Sequence, residues 1–249
     1  MQLITMGLVL RATKTGEADR ILSVLTPDKG IISAVAKSSL RLKSKLFSGT
    51  GLFCYSEFTL FEGKTMYVVD AATVQNVFFG LHENVESMAL AMYFSEIAAI
   101  LSPEGDEAQS QLRLLLNSLY FLSENKRPPR LMKAIYELRA LSLAGYMPNL
   151  VACADCVKYN GGSFYFNPAT ALLYCESCAE KRDFTCNLDA AALDAMRHIV
   201  FASDEKLFSF TLSKQSTALL SNVVGQYRNY CLERPMKSLS FLETVLGDA

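Results

Sequence analysis

An α+β protein, strand-rich in its first third and helical behind, is the fold class this sequence predicts. Three features carry that expectation: apolar alternation punctuated by turn residues over roughly the first eighty positions, a switch to helical spacing from about Leu81, and four cysteines in two CxxC pairs inside the helical part. With 51 % apolar residues over 249 positions, the chain has material for one large core or two modest ones.

The strands come first. Leu3 to Arg11 and Arg20 to Thr26 are rich in Ile, Val and Leu. Pro27-Asp28-Lys29-Gly30 then turns the chain, because proline presets φ and glycine accepts a positive one. Ile31 to Lys37 returns as a third strand, a polar basic linker follows, and Leu52 to Phe61, Glu62-Gly63-Lys64 and a strand beginning at Thr65 to Asp70 form a hairpin. Five antiparallel strands in so short a stretch suit a closed Greek-key barrel of the oligonucleotide-binding (OB) kind, expected over residues 1–80.

Residues 81–249 are expected to be helical. Glu83 to Leu101, Glu107 to Ser123 and Pro129 to Ala144 carry apolar residues at helical spacing, as in Leu112, Leu115, Leu116 and Leu119. Pro128-Pro129 marks a helix start, and Gly145 followed by Pro148 a stop. After an inserted ribbon at 150–183, which holds the short strand Ser163 to Phe166, three helices follow: Leu188 to Ala202, Ser213 to Leu232 and Leu239 to Leu246.

The ribbon carries the sharpest chemical signal. Cys153 and Cys156, then Cys175 and Cys178, have the spacing of a tetrahedral site for one structural zinc ion, closed to substrate because four thiolates fill it. A redox CxxC would call for a βαβ context that the pattern lacks. The ribbon's own Lys158, Lys181 and Arg182 are matched by Asp155, Glu176 and Glu180, which favours scaffolding over nucleic-acid contact. Cys54, Cys186 and Cys231 read as small buried hydrophobes.

The net charge of −1 hides an asymmetry, since residues 1–45 hold eight Lys/Arg against three acids. The cations Lys37, Arg41, Lys43 and Lys45 alternate with small polar residues in the linker between strands. That composition reads as a flexible loop suited to phosphate contact regardless of base order. Phe47, Phe53, Tyr55, Phe58, Phe61 and Tyr67 are stacking candidates, although alternation in a barrel sends most of them into the core. The segment Gly16 to Arg20 reads as a turn with a local ion pair to Arg20. His82 and His198 are far apart, with no nucleophile elbow, phosphate loop or ligand-spaced carboxylates around them, so an enzyme is not expected. His198 reads as a packed or capping residue. The apolar runs Leu3 to Leu10 and Met88 to Leu101 are too short or too broken for a leader or a membrane span, which suggests a cytoplasmic protein.

Three stretches resemble the RecO recombination and repair mediators: GLVLRATKTGEADRILSVLTPDKG from Gly7 to Gly30, then AVAKSSLRLKSKL, then ELRALSLAGYMPNL immediately before CADC. The resemblance implies an OB barrel, a helical domain with an inserted zinc ribbon, and no covalent step. It implies binding to single- and double-stranded DNA, annealing of complementary strands, and cooperation with RecR to load RecA onto DNA coated by single-strand DNA-binding protein, at the nucleoid. By this likeness Arg11 and Arg20 of the strand motif join Lys37, Arg41, Lys43 and Lys45 as nucleic-acid contacts. The competing expectation is a zinc-ribbon adaptor that works through protein contacts of an acidic helical domain.

Overall fold

The computed structural model describes residues 2–247. The chain divides into two compact units, one ending at Glu124 and the other beginning at Asn125.

The first unit is built on a closed barrel of five strands in the order β1-β2-β3-β5-β4: β1 Gln2–Thr15, β2 Asp19–Thr26, β3 Gly30–Ala36, β4 Cys54–Phe61 and β5 Tyr67–Val77. Inward alternation places Val9, Leu22, Val24, Ile32, Ala34, Phe58, Leu60 and Val69 in one core. Two strands exceed their expected lengths. β1 continues to Thr15, paired with Asp19, and β5 to Val77, paired with Cys54, because ladder bonds run through the backbone even where exposed side chains show no alternation. One seam also differs from the all-antiparallel expectation. β3 pairs with β5 in parallel, at Ala34↔Tyr67 and Val35↔Val68, because the long 37–53 connection and the β4–β5 hairpin return β5 in the direction of β3.

Two helices complete this unit: α1 Val85–Leu101, capped by Asn84, and α2 Gln109–Ser123. The α1–α2 connection is joined to the β2–β3 turn by backbone hydrogen bonds, Ile31 N to Ser102 O, Gly105 N to Lys29 O and Ala108 N to Pro27 O, at 3.0, 3.0 and 2.7 Å. Gly30 is required there, since its φ is +58° and a Cβ would stand 2.1 Å from the Pro103 carbonyl oxygen.

In the second unit α3 Pro129–Leu143 lies against α6 Lys214–Leu232 and α5 Ala190–Phe201, with α7 Leu239–Leu246 at the end. Glu137, fully buried, accepts from Arg228 at 2.6 Å and pairs with Lys133 at 3.1 Å, tying α3 to α6. Arg139 donates to the carbonyls of Ile199 and Val200 at 3.2 and 2.7 Å, closing the C-terminal end of α5. His198 is a packing residue as read from sequence, with Nε2 2.8 Å from Lys206 O and its ring edge-on to Phe210. No helix among the described residues is long and apolar enough to cross a membrane.

Candidate nucleic-acid interface and metal centre

On the barrel, Ala12, Leu22 and Ala34 form one inward row across β1, β2 and β3, so the neighbouring row Arg11, Ser23, Ser33 faces out. Arg11 is exposed on that outer surface. Lys14, Arg20 and Ala36 make a further row at one end of the barrel, with Lys37 following directly. Lys14, Lys37, Arg41, Lys43 and Lys45 are all exposed. Lys14 was not among the expected contacts, yet its pairing opposite Arg20 puts it in the same row.

Arg20 departs from expectation. It follows the inward alternation of Leu22 and Val24, and its guanidinium caps the barrel end instead of facing solvent. Nη1 donates to Thr50 Oγ1 at 2.8 Å, Phe47 O at 3.1 Å and Ser39 O at 3.4 Å, and the Phe47 ring lies 5.5 Å from the guanidinium carbon. Asp19 does not pair with it; Asp19 Oδ1 accepts from Ser38 N at 2.6 Å. Arg20 therefore holds the basic loop and is not a free cation of the surface.

The loop itself is pinned, contrary to the flexible linker its composition suggests. Successive turns close through Arg41 N to Ser38 O, Ser44 N to Arg41 O and Phe47 N to Ser44 O, while Leu40 N reaches Ala18 O at 2.8 Å. Leu46 enters the barrel core, and Thr50 Oγ1 donates to Leu46 O at 2.6 Å. Ser44 Oγ accepts from Leu46 N at 3.2 Å, and the backbones of Ser38 and Ser44 close the turns, so residues that read as flexibility help to shape the loop. Of the stacking candidates, Phe53 and Phe58 are core residues, whereas Phe47 and Phe61 keep 38 % and 43 % of their surface.

Residues 81–249 hold fifteen Lys/Arg against nineteen Asp/Glu, the acid excess expected of the helical part. Most of that excess lies in residues 81–124, with one Lys/Arg against seven acids, while residues 125–249 hold fourteen against twelve.

The ribbon forms a metal centre. The first knuckle is a tight turn in which Val157 N donates to Cys153 O at 3.0 Å; the second sits where β7 Leu172–Cys175 meets the short helix α4 Glu176–Glu180. β6 Phe164–Asn167 pairs with β7, setting Phe164 opposite Cys175. A tetrahedral ion with bonds of about 2.3 Å holds its sulfurs about 3.8 Å apart. Here Cys156 Sγ and Cys175 Sγ are 3.5 Å apart, and the ligand atoms of Cys153, Cys156, Cys175 and Cys178 all lie within 4.8 Å of one another. The four thiols fit one metal ion.

Their acidities point the same way. Burial raises Cys153, but the amides of Cys175, Cys156 and Asp155 outweigh it and bring the thiol down to about 6. Hydrogen bonding with Cys156, then burial and the remaining sulfurs push Cys178 up to about 12. Without a cation the cluster accepts one negative charge readily and resists a second; a divalent ion removes that conflict.

Arg182 spans the knuckles through a two-pronged ion pair to Asp155 at 2.8 Å on each arm. Arg197, from α5, donates to Leu150 O at 2.8 Å and Tyr159 O at 2.7 Å and stacks 4.1 Å from the Tyr159 ring, fixing the ribbon to the helices. Of the remaining cysteines, Cys54 is buried as expected, but Cys186 and Cys231 are only half-buried.

A closed OB-type barrel with a pinned basic loop, joined in one chain to helices bearing a four-thiol ribbon, defines a two-part architecture. Comparison with known proteins makes this specific. Residues 1–78 match the family model for the N terminus of recombination protein O, and residues 82–240 match that for its C terminus. The chain belongs to the RecO family. It is 36 % identical over 241 residues to the DNA repair protein RecO of Acetivibrio thermocellus, covering 97 % of this chain and 96 % of the relative. It is 31 % identical to that of Dehalococcoides mccartyi and 29 % to that of Symbiobacterium thermophilum, again over at least 95 % of each chain.

Proposed function

We propose that this protein acts in DNA repair as a recombination mediator. It binds single- and double-stranded DNA, anneals complementary strands and, with RecR, promotes RecA loading on strands coated by single-strand DNA-binding protein. The single observation that carries the reading is the set of exposed cations Arg41, Lys43 and Lys45 on a loop whose shape is already set, with Lys37 at its start and Arg11 and Lys14 exposed on β1. A pinned cationic surface loses little conformational entropy on meeting a phosphate chain, and release of condensed counterions drives the association.

The barrel neutralises phosphates on two strands while base edges remain open to each other. Pairing energy then drives product formation with no bond made by the protein. Arg20 serves by holding the loop. The metal is one structural zinc ion, since an all-thiolate tetrahedral donor set suits zinc and leaves no open coordination position. It braces the ribbon against the helices and takes no part in DNA contact, as the commitment of Arg182 to Asp155 supports. The site of action is the cytoplasm, at the nucleoid.

The test is annealing of complementary labelled oligonucleotides with and without a coating single-strand DNA-binding protein. Acceleration in both settings is expected; no acceleration in either contradicts the proposal.

A further inference from the structure

We infer that Leu42 is a nucleobase-contacting wedge, an apolar side chain that the basic loop inserts against the base faces of a single strand whose phosphates are held by its cationic neighbours. The inference rests on the DNA-binding reading above and deepens it.

Leu42 keeps 86 % of its surface exposed, more than any other large apolar side chain among the described residues. One exposed leucine on a mobile loop is unremarkable. This loop differs in being held along its length: by the turns closed at Arg41, Ser44 and Phe47, by Leu40 N on Ala18 O, by Asp19 on Ser38 N, and by Arg20 on Phe47 O and Thr50 Oγ1. The loop's three leucines are used differently. Leu46 is inserted in the barrel core and Leu40 is half-buried, so both anchor; Leu42 between them is turned out. With the backbone fixed, it cannot fold back to hide.

Its flanks decide what it meets. Arg41 and Lys43 are exposed on either side, and Lys45 and Lys37 lie close along the chain. An apolar tip between cations matches a ligand with negative charge along its edge and flat apolar faces within. A single strand of nucleic acid has that chemistry, and its unstacked bases admit an aliphatic side chain whatever their identity. Lys14, opposite Arg20, and Lys37, directly after Ala36, add exposed cations at the barrel end from which the loop springs, enough charge for several phosphates of one strand.

The test uses the full chain and a single-stranded oligonucleotide with 2-aminopurine stacked between adenines. Wild type should raise the probe's fluorescence on binding, reporting unstacking. Leu42→Ala should bind about tenfold more weakly, as loss of a leucine's apolar contact implies, with the salt dependence unchanged. It should lack the fluorescence rise even at saturation, and its urea midpoint should equal that of wild type because the side chain supports nothing in the fold. Leu42→Phe should restore both affinity and signal. Lys43→Ala should do the converse, lowering the salt slope by about 0.7 while keeping the rise at saturation.

If Leu42→Ala matches wild type in affinity and fluorescence, the wedge is refuted while the DNA-binding reading stands. If wild type ignores the oligonucleotide, both fall. Leu42-dependent capture by phosphatidylserine vesicles, with oligonucleotide binding indifferent to the substitution, would reassign the loop to membranes and overturn the inference.

Discussion

Replacing Arg20 with alanine separates two roles that an arginine in a basic segment can have. Its bonds to Thr50 Oγ1 and Phe47 O, at 2.8 and 3.1 Å, have good length, while the one to Ser39 O at 3.4 Å is marginal. A hydrogen bond from a charged donor contributes about 1.5–3 kcal/mol. Thr50 is buried but retains its own bond to Leu46 O, which puts its loss at the low end. The Phe47 ring contact adds about 0.5 kcal/mol. The sum, about 3–4 kcal/mol, falls on docking of the loop, and a domain stable by about 5–15 kcal/mol survives it. Amide exchange by NMR should show protection at Leu40, Ser44 and Phe47 falling by about two to three decades, since about 1.4 kcal/mol corresponds to a factor of ten. Oligonucleotide affinity should drop, because the loop must be re-ordered on binding, with the slope of log K against log salt nearly unchanged. Arg20→Lys should not rescue, as an ammonium lacks the planar fork. Unchanged exchange together with a slope reduced by about 0.7 would refute the reasoning and make Arg20 a phosphate ligand.

Three further outcomes follow from the same structure. Freshly purified protein should contain one zinc ion per chain, measured by atomic emission, and Cys175→Ser should abolish it and melt the ribbon. Gly30→Ala should lower stability by about 3 kcal/mol or more in urea unfolding, because a left-handed alanine costs about 1–2 kcal/mol before the contact with Pro103 O is relieved. Glu137→Ala leaves Arg228 and Lys133 facing a deleted carboxylate and should cost about 3–5 kcal/mol by the same assay, with the salt slope of DNA binding unaffected.

How far the sequence reveals this molecule depends on where each signal resides. The cysteine spacing announces the metal centre because four-sulfur coordination constrains sequence directly, and Gly145, Pro129 and the leucine periodicity mark helices for similar local reasons. The outer parts of β1 and β5 do not show because Lys14 and Thr15, or Thr73 and Asn76, pair through backbone groups that carry no composition. Arg20 reads as a nucleic-acid contact only through the family likeness; the signal in the sequence for its loop-holding position is its parity with Leu22 and Val24, which sends it inward. The join of the α1–α2 connection to the β2–β3 turn is a tertiary contact between Gly30 and Pro103, and nothing in either segment names the other. Glu137 and Arg139 belong to a stretch that marks the family, yet their contacts show that they brace α3 against its neighbours.

The central claim is that fixed cations on the barrel and its loop hold the sugar-phosphate chain independently of base order. Its most direct measurement is the salt dependence of binding to unstructured single strands of different composition. With about four to six phosphates neutralised, log K should fall against log salt with a slope of about −3 to −4 on every sequence, and Arg41, Lys43 and Lys45 changed together to alanine should reduce that slope by about 2. A slope near zero, or one left intact by the triple substitution, contradicts the account.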